Sequence, residues 1–339
     1  MKSGIGQTLA ARTCLRLFWV SALITLVFAG SLAPYLRDSA EMVRMRNALL
    51  LQNEAAAYDW TPDTVPEGFA LERGAPSPLY ANAVVAGDLK VEGDDWATAL
   101  KIGRHLLFDG KRTGRPIQSN LEQTYRRITE RGEGYCGDFA DSFTGLANAA
   151  GLFSRPWAFS FDGFGGHGHI FNEIWDRKAA RWIMIDVFNN FFVVDGTGRP
   201  LSAIEFRRRL ETDASDLQLL PVDSASSPGF VREDKALEYY RRGLPEWYMW
   251  WGNNVFEYDQ DPVVSALGNT HRALEQLGGV AVGAYPRIHI LATSENLPQR
   301  EAISWLRVRL IAVMALGSIS VALLICWLIL RRREADMQS

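Results

Sequence analysis

Two long apolar segments without a charged residue, one toward each end of the chain, constrain the fold more than any other feature. The first covers residues 17–36 (LFWVSALITLVFAGSLAPYL) and the second covers residues 310–330 (LIAVMALGSISVALLICWLIL). Each reaches the roughly 20 residues that a helix needs to cross a bilayer, and a core helix rarely extends so far without a polar face. Arg331, Arg332 and Arg333 follow the second segment directly. We therefore predict two membrane-spanning helices.

A cleavable signal peptide is the alternative interpretation of residues 17–36. Ser31 and Ala33 offer the best small-residue cleavage point, but Pro34 follows at once and fits poorly there. The segment is also longer than the apolar centre of an ordinary signal peptide. We therefore expect an uncleaved anchor.

Orientation follows from the short basic tails, because long domains are translocated largely regardless of their charge. Both tails are expected on the cytoplasmic side of the inner membrane. Residues of about 40 to 305 then lie outside the cytoplasmic membrane, which in a bacterium means the periplasm or the outer surface. The predicted organisation is a cytoplasmic tail (1–16), a first span (17–36), a juxtamembrane helix and loop region (37–93), a catalytic core (94–210), a linker with an aromatic-rich extension (211–305), a second span (310–330) and a cytoplasmic tail (331–339).

Charge and cysteine content narrow the function. The net charge is −3 and no basic stripe carries interleaved aromatic residues, so nucleic acid is not expected as a partner. Cys14 and Cys326 lie in or beside the predicted spans, which leaves Cys136 as the single thiol of the domain between them. An unpaired cysteine in an oxidising compartment is a hazard unless it is buried or used.

Helical patterns precede strand patterns in the middle of the chain. Helices are predicted over residues 96–108, 121–131 and from Cys136 to Ala150, and the last of them ends at Gly151. Alternating patterns then predict strands over 157–161, 168–175, 182–188 and 191–194. This order indicates an α+β domain.

Cys136 begins an apolar helix within the sequence Gly-Tyr-Cys-Gly-Asp-Phe-Ala. The unpaired backbone N–H groups and the dipole at a helix start favour a thiolate. Taken alone, a cysteine in such a place is more often inert core packing.

A hairpin with a four-residue loop over 176–179, closed by Trp175 opposite Ala180, predicts which side chains meet. Opposed positions in an antiparallel pair keep a constant sum, so His169 is expected opposite Asp186 and His167 opposite Phe188. The pattern therefore offers a His–Asp pair, although such a pair is often a satisfied polar contact at a sheet margin. A cysteine, a histidine that takes its proton and an acid that orients the histidine make up the generalised triad.

These motifs resemble those of the transglutaminase-like superfamily. The matching residues are Gly134 to Ala140 around the cysteine, Gly151, Leu152 and Arg155 at the helix exit, His169, Phe171 and Glu173 on the histidine strand, and Trp182 with Asp186 on the acid strand. The resemblance covers about residues 95–195. Phe171 stands where the family commonly has tryptophan.

The resemblance implies a papain-like transglutaminase core, with the cysteine helix packed on an antiparallel sheet that bears the histidine and the acid. It also implies a cysteine hydrolase or acyl transferase without a cofactor, in which Cys136 is the nucleophile, His169 the base and Asp186 the orienting acid. Family members cross-link glutamine to amines, hydrolyse amides, or only bind, and the presence of all three residues favours catalysis. The expected substrate is a peptide or protein of the cell envelope. The Cys136 N–H should supply one oxyanion donor, with Gln118, Gln123 and Tyr135 as weak side-chain candidates.

Two other functions are compatible with the sequence. His167, His169, Glu173 and Asp186 include the side-chain types of a metal site. The aromatic stretch at residues 246–258 (EWYMWWGNNVFEY) is compatible with a non-catalytic peptide- or glycan-binding module of an envelope or polysaccharide assembly system. The other two interpretations of this stretch are a position at the membrane interface and a buried position, in the core or as a lid over the catalytic domain.

Overall fold

The computed structural model describes residues 2–52, 57–107, 112–115, 117 and 119–336. They form twelve helices, α1 (Lys2–Gly30), α2 (Ser39–Leu50), α3 (Pro78–Ala86), α4 (Asp95–Leu106), α5 (Leu121–Arg131), α6 (Cys136–Ala150), α7 (Ala203–Glu211), α8 (Glu233–Gly243), α9 (Val255–Gln260), α10 (Pro262–Gly268), α11 (Arg272–Val282) and α12 (Leu297–Asp336). They also form eight strands, β1 (Leu51–Gln52), β2 (Ser154–Ser160), β3 (Gly168–Asp176), β4 (Arg181–Ile185), β5 (Phe192–Val194), β6 (Gln218–Leu220), β7 (Trp247–Trp251) and β8 (Arg287–Ile290). The chain divides into two compact units, one made of Met1–Leu49 with Glu301–Ser339 and the other of Leu50–Arg300.

The first unit contains α1 and most of α12, both long and apolar enough to cross a membrane. The apolar part of α1 is Leu9–Gly30, whereas the sequence pattern placed the span over residues 17–36. The helix ends earlier because Pro34 lacks an N–H group and begins a separate 3-10 turn, Ala33–Leu36. α12 begins well before residue 310 and continues through the arginines that follow the apolar segment.

The helices α1 and α12 run antiparallel within this unit. The hydroxyl oxygens of Ser21 and Ser320 lie 2.8 Å apart, and the sulfur atoms of Cys14 and Cys326 lie 3.4 Å apart. A lower residue number on one helix therefore meets a higher number on the other. Both serine side chains are largely buried in the contact.

The second unit is built on a mixed sheet. Among the described residues this sheet has six strands in the order β1-β8-β7-β2-β3-β4. All neighbours are antiparallel except β1 and β8. The segment 211–305, predicted as a linker and extension, supplies β7 and β8 to this sheet, where β7 pairs directly with β2. A second, two-stranded sheet joins β5 to β6.

Helices cover both faces of the sheet. One core contains side chains of α3 to α6 together with Ile174 and Ile185 from the sheet. The other contains side chains of α7 and α8, of residues 58–71 and of the opposite sheet face. The α+β class predicted from the sequence is confirmed, and α6 packs on the sheet with the Asn172 amide donating to Ala140 O (3.3 Å) and Thr144 Oγ1 (3.0 Å).

The predicted register of the β3–β4 hairpin is wrong by two residues. Asp176 pairs with Arg181 and Glu173 pairs with Met184, so the loop covers residues 177–180. Asp176 closes this loop by accepting the Lys178 N–H (2.9 Å), and Ala180 takes a left-handed conformation with φ 50°. Arg177 at the tip binds Asp95 of α4 through its backbone and its guanidinium. These contacts keep Asp176 in the strand.

The aromatic stretch that follows α8 lies in the core. All five residues of β7 are buried, and Trp247 and Met249 are fully so. The Trp247 ring packs 5.8 Å from that of Phe159 and 5.4 Å from that of Phe171. Of the three interpretations of this segment, the buried position is the one that the structure shows for β7.

Candidate active site

The backbone before Cys136 turns sharply so that the thiol begins a helix. α5 ends at Gly132, which is left-handed with φ 61°, and Gly134 has φ 112°. A side chain at Gly134 would be strained there and would crowd Asp138, since an added Cβ would lie 3.2 Å from Asp138 Cβ. The Asp138 carboxylate accepts the Tyr135 N–H (2.8 Å) and holds the turn. Cys136 is the first residue of α6 and is partly exposed.

The start of α6 provides donors as well as the thiol. The first N–H groups of a helix have no intrahelical partner, and they point toward a ligand placed at that end. The Cys136 N–H belongs to this first turn. A carbonyl oxygen positioned for attack by Cys136 Sγ can therefore accept a hydrogen bond from the same residue.

His169 lies near the beginning of β3 and is buried, with 3% of its surface exposed. Its Nε2 atom is 2.6 Å from Asp186 Oδ2, and Cys136 lies near enough to the ring to raise the pKa of the imidazole. Because Asp186 occupies Nε2, Nδ1 is the ring nitrogen available to the thiol. The imidazole thus binds the Asp186 carboxylate and lies beside Cys136.

Asp186 meets His169 because it leaves the β3–β4 ladder. The last pair of that ladder is Asn172 with Ile185, and Asp186 instead forms an isolated bridge with Phe191 across a tight turn. The sequence pattern predicted that His169 and Asp186 are directly opposed across the two strands, and the structure shows that they are not. Their side chains nevertheless converge at the end of the hairpin.

The Asp186 carboxylate receives four hydrogen bonds. The His169 ring (2.6 Å) and the Asn189 side chain (2.8 Å) both bond to Oδ2, and the Tyr240 hydroxyl donates to the same oxygen. Oδ1 accepts the Asn189 backbone N–H (3.0 Å). A buried charge is tolerated when it is hydrogen-bonded in this way.

The ionisation of the pair follows from these contacts. Burial acts to lower the pKa of His169, but the charge of Asp186, its hydrogen bond and the contact with Cys136 raise it to about 10. Burial acts to raise the pKa of Asp186, yet the charge and hydrogen bond of His169, with the donors from Tyr240 and Asn189, lower it below its usual value. At neutral pH the two residues form an imidazolium–carboxylate pair.

The structure does not bring together the four residues of the metal alternative. His167 is exposed in the loop before β3, where its backbone N–H donates to Asp162 (3.2 Å). Glu173 accepts hydrogen bonds from Arg155 (2.7 Å), Trp157 (2.8 Å) and the Ala203 backbone (2.7 Å). Within the described part of the chain, no group of three or more His, Cys, Asp or Glu side chains is placed to hold a metal ion.

The side chains considered as oxyanion donors lie in different surroundings. Tyr135 is 49% exposed, and its ring approaches Gly114. Gln123 is exposed on α5. Gln118 lies outside the described residues. The backbone N–H of Cys136 is the donor whose position at the start of α6 is defined.

Two polar partners of Asp186 were absent from the sequence-based prediction. Asn189 follows Asp186 by three residues, a spacing at which a side-chain carboxylate commonly accepts a backbone N–H in a turn, so a local signal existed. Tyr240 is 54 residues away on α8. No local pattern connects that tyrosine with the site.

A sequence model of the transglutaminase-like superfamily matches residues 97–187. Residues 97–187 form a transglutaminase-like domain. The resemblance predicted from the sequence is thereby confirmed, and Cys136, His169 and Asp186 all lie within the matched range. Tyr240 lies outside it. No curated protein and no solved structure matches this chain.

Proposed function

We propose that this chain is a membrane-anchored, extracytoplasmic thiol enzyme that acts on an amide or ester carbonyl through an acyl-enzyme. The hydrogen bond between His169 and Asp186 beside Cys136, which begins α6, supports this proposal most directly. A nucleophile, a base and an orienting acid in this order form the triad arrangement. The transglutaminase-like domain supplies the same three residue types.

Before the first half-reaction the proton of the Cys136 thiol has moved to Nδ1 of His169, which gives a thiolate beside the imidazolium. The sulfur then attacks the carbonyl carbon and forms a C–S bond, and the carbonyl electrons move to the oxygen, which accepts the Cys136 N–H. When the tetrahedral intermediate collapses, the bond to the leaving amine or alcohol breaks. His169 returns its proton to that leaving group, and a thioester on Cys136 results.

In the second half-reaction a water molecule or an amine attacks the thioester. His169 removes a proton from this nucleophile, the C–S bond breaks, and the sulfur leaves as a thiolate beside the imidazolium. Water gives hydrolysis and an amine gives transfer. Asp186 stays ionised throughout and keeps the imidazole oriented with Nδ1 toward the sulfur.

The proposed substrate is a peptide or protein of the cell envelope, because the domain is assigned to the far side of the cytoplasmic membrane. The two apolar helices and their antiparallel contact support tails on one side of the membrane, and the proposal assigns that side to the cytoplasm. Alkaline phosphatase and fluorescent-protein reporters fused after Ser224 and after Ser339 test this topology. Export is expected at Ser224, which lies on an exposed loop, and cytoplasmic placement at Ser339. A cytoplasmic signal at Ser224 contradicts the assignment.

The nucleophile is tested in a background that lacks the other two cysteines. With Cys14→Ala and Cys326→Ala, iodoacetamide labelling of the full chain in detergent reports Cys136 alone. We expect fast labelling at neutral pH in the folded protein, slow labelling after denaturation, and hydrolysis of p-nitrophenyl acetate that disappears in Cys136→Ala. Equal labelling rates in the folded and denatured states, or hydrolysis that survives in Cys136→Ala, overturn the proposed mechanism.

A further inference from the structure

Helix α8 brings a tyrosine into the hydrogen-bond network from outside the transglutaminase-like domain. The Tyr240 side chain is fully buried. Its ring lies 5.8 Å from the His169 ring at an interplanar angle of 80°, and its hydroxyl donates to Asp186 Oδ2. We propose that Tyr240 is a positioning residue, which holds the Asp186 carboxylate in the orientation that His169 requires. This inference rests on the triad mechanism proposed above.

The aromatic surroundings of Tyr240 explain a ring at this position but not its hydroxyl. Phe159, Phe171, Phe191 and Phe206 pack around the phenol with centroid distances of 5.2 to 5.9 Å. A phenylalanine fills the same space without placing a polar atom in an apolar core. A buried hydroxyl costs free energy unless it finds a partner. In this core the partner of the Tyr240 hydroxyl is Asp186.

The Asp186 carboxylate does not need Tyr240 to be satisfied. Its two oxygens already accept bonds from His169 and from the side chain and backbone of Asn189. The tyrosine adds a further donor on the oxygen that His169 uses. Its bond therefore restricts rotation of the carboxylate and fixes the acceptor lone pair that faces the imidazole.

Hydrogen bonds to α7 on one side, and to β2 and the loop before β3 on the other, fix the position of α8. The Arg207 guanidinium of α7 donates to Leu244 O (3.0 Å), just after the end of α8, and Arg241 of α8 donates to Leu210 O (3.3 Å). Glu246 then accepts the Gly163 N–H (2.8 Å) of the loop before β3 and binds Ser160. These contacts connect α8 to β2 and to the loop that leads into His169.

A double-mutant cycle tests the proposal. Tyr240→Phe removes the hydroxyl and keeps the ring, and Asp186→Asn removes the charge through which Tyr240 is proposed to act. In the full chain carrying Cys14→Ala and Cys326→Ala, we expect Tyr240→Phe to lower kcat for p-nitrophenyl acetate by about tenfold to hundredfold, the range of a hydrogen bond to a charged group. KM should change little, because Tyr240 touches no substrate in this proposal. In the Asp186→Asn background the same change should have no further effect.

Tyr80→Phe is the matched control. Tyr80 is also fully buried, and its hydroxyl donates to Leu121 O (3.2 Å) in the other core. We expect Tyr80→Phe to lower the denaturation midpoint as Tyr240→Phe does. It should leave kcat unchanged, both in the parent chain and in the Asp186→Asn background. The same double-mutant cycle can be followed through the rate at which iodoacetamide labels Cys136. This readout does not depend on turnover.

The outcomes separate this inference from the proposed function. If Cys136 labels fast in the parent chain, and Tyr240→Phe either leaves kcat unchanged or acts additively with Asp186→Asn, the positioning role of Tyr240 is wrong and the triad stands. If Cys136 in the parent chain labels no faster than in denatured protein, the triad itself fails. Loss of kcat in Tyr240→Phe with no further loss in the double variant supports the inference.

Discussion

The sulfur atoms of Cys14 and Cys326 lie 3.4 Å apart although 312 residues separate them along the chain. They belong to α1 and α12, the two helices that are long and apolar enough to cross a membrane. Together with the contact of Ser21 and Ser320, their proximity places the two helices side by side and antiparallel. This arrangement agrees with tails that share one side of the membrane.

The cysteine pair predicts an efficient cross-link. Copper phenanthroline with oxygen should join Cys14 to Cys326 through a disulfide, as the two thiols lose two electrons to the oxidant and release two protons. With a protease site inserted after Ser224, the two halves of the cleaved chain should migrate together on a non-reducing gel and separate after reduction. Cys14→Ser is the control and should give separate halves. Separate halves from the oxidised parent chain contradict the paired helices.

Two histidines separated by one residue should differ sharply in their effect on activity. His169 is buried between Cys136 and Asp186, whereas His167 is exposed in the loop before β3. His169→Ala should lower kcat for p-nitrophenyl acetate by about a thousandfold or more, the usual cost of losing a triad base. His167→Ala should retain most of the activity.

His169→Gln complements the alanine variant, because its amide can still donate to Asp186 and avoid an unpaired buried carboxylate. It should fold and remain inactive. Equal losses in the His167 and His169 variants favour the metal interpretation, and metal analysis of the purified protein then decides it.

The pH dependence of turnover should show a high alkaline limit. The folded pKa of His169 is raised to about 10 by Asp186 against the opposing effect of burial, so the imidazolium that protonates the leaving group persists until the pH approaches this value. Turnover should fall as the pH rises through about 10. Asp186→Asn removes the charge that raises the pKa and should move this limb to lower pH.

The control for this profile is Asp95→Asn, which breaks a buried carboxylate contact with Arg177 away from the site. It should leave the alkaline limb in place. The same linkage applies to folding: the raised pKa of His169 contributes stability that is complete below about pH 6.5 and is lost as the pH rises toward 10. An alkaline limb that stays in place in Asp186→Asn disproves the ion pair.

The buried pair of Arg155 and Glu173 should be structural. Both side chains are at most 1% exposed, and the guanidinium also lies over the rings of Trp60 and Trp182 at 4.7 and 3.8 Å. Glu173→Gln leaves the guanidinium without its counter-charge and should lower the free energy of unfolding by about 3–5 kcal/mol. Urea denaturation followed by tryptophan fluorescence measures this loss.

Glu238→Gln is the matched control for this experiment, because Glu238 pairs with Lys235 on the exposed face of α8. Exposed ion pairs of this kind contribute little to the free energy of unfolding. The denaturation midpoint of Glu238→Gln should therefore match that of the parent chain. A Glu173→Gln midpoint equal to that of the control contradicts a structural role for the buried pair.

The three triad candidates were predictable because their signals are local. Cys136 begins a helix that glycines delimit, and His169 and Asp186 flank one hairpin, so short-range patterns place all three. The register error did not separate His169 from Asp186, since Asp186 leaves the ladder and its carboxylate turns back toward β3. An assignment based only on directly opposed residues nevertheless named the wrong pairs, such as Trp175 with Ala180 instead of Trp182.

Strand β7 and the Tyr240 hydroxyl, which both come from beyond residue 210, were not predictable in the same way. A short run that is buried on every side, as Trp247 to Trp251 is, carries no alternation that distinguishes a central strand from other buried segments. Its pairing with β2 joins residues about ninety positions apart, and no local preference specifies such a contact. The hydroxyl of Tyr240 reaches Asp186 only through this long-range packing.

The place of β7 in the sheet has a consequence for the order in which this protein matures. If the chain crosses the membrane from its amino-terminal side, the segment with Cys136 emerges while β7 and β8 are still being made. Strand β2 then has an open edge, and the loop before His169 lacks the Glu246 carboxylate that fastens it. A half-exported molecule therefore carries Cys136 before the loop that leads into His169 is held in place. Arrival of the last strands both completes the sheet and fastens the loop that leads into His169.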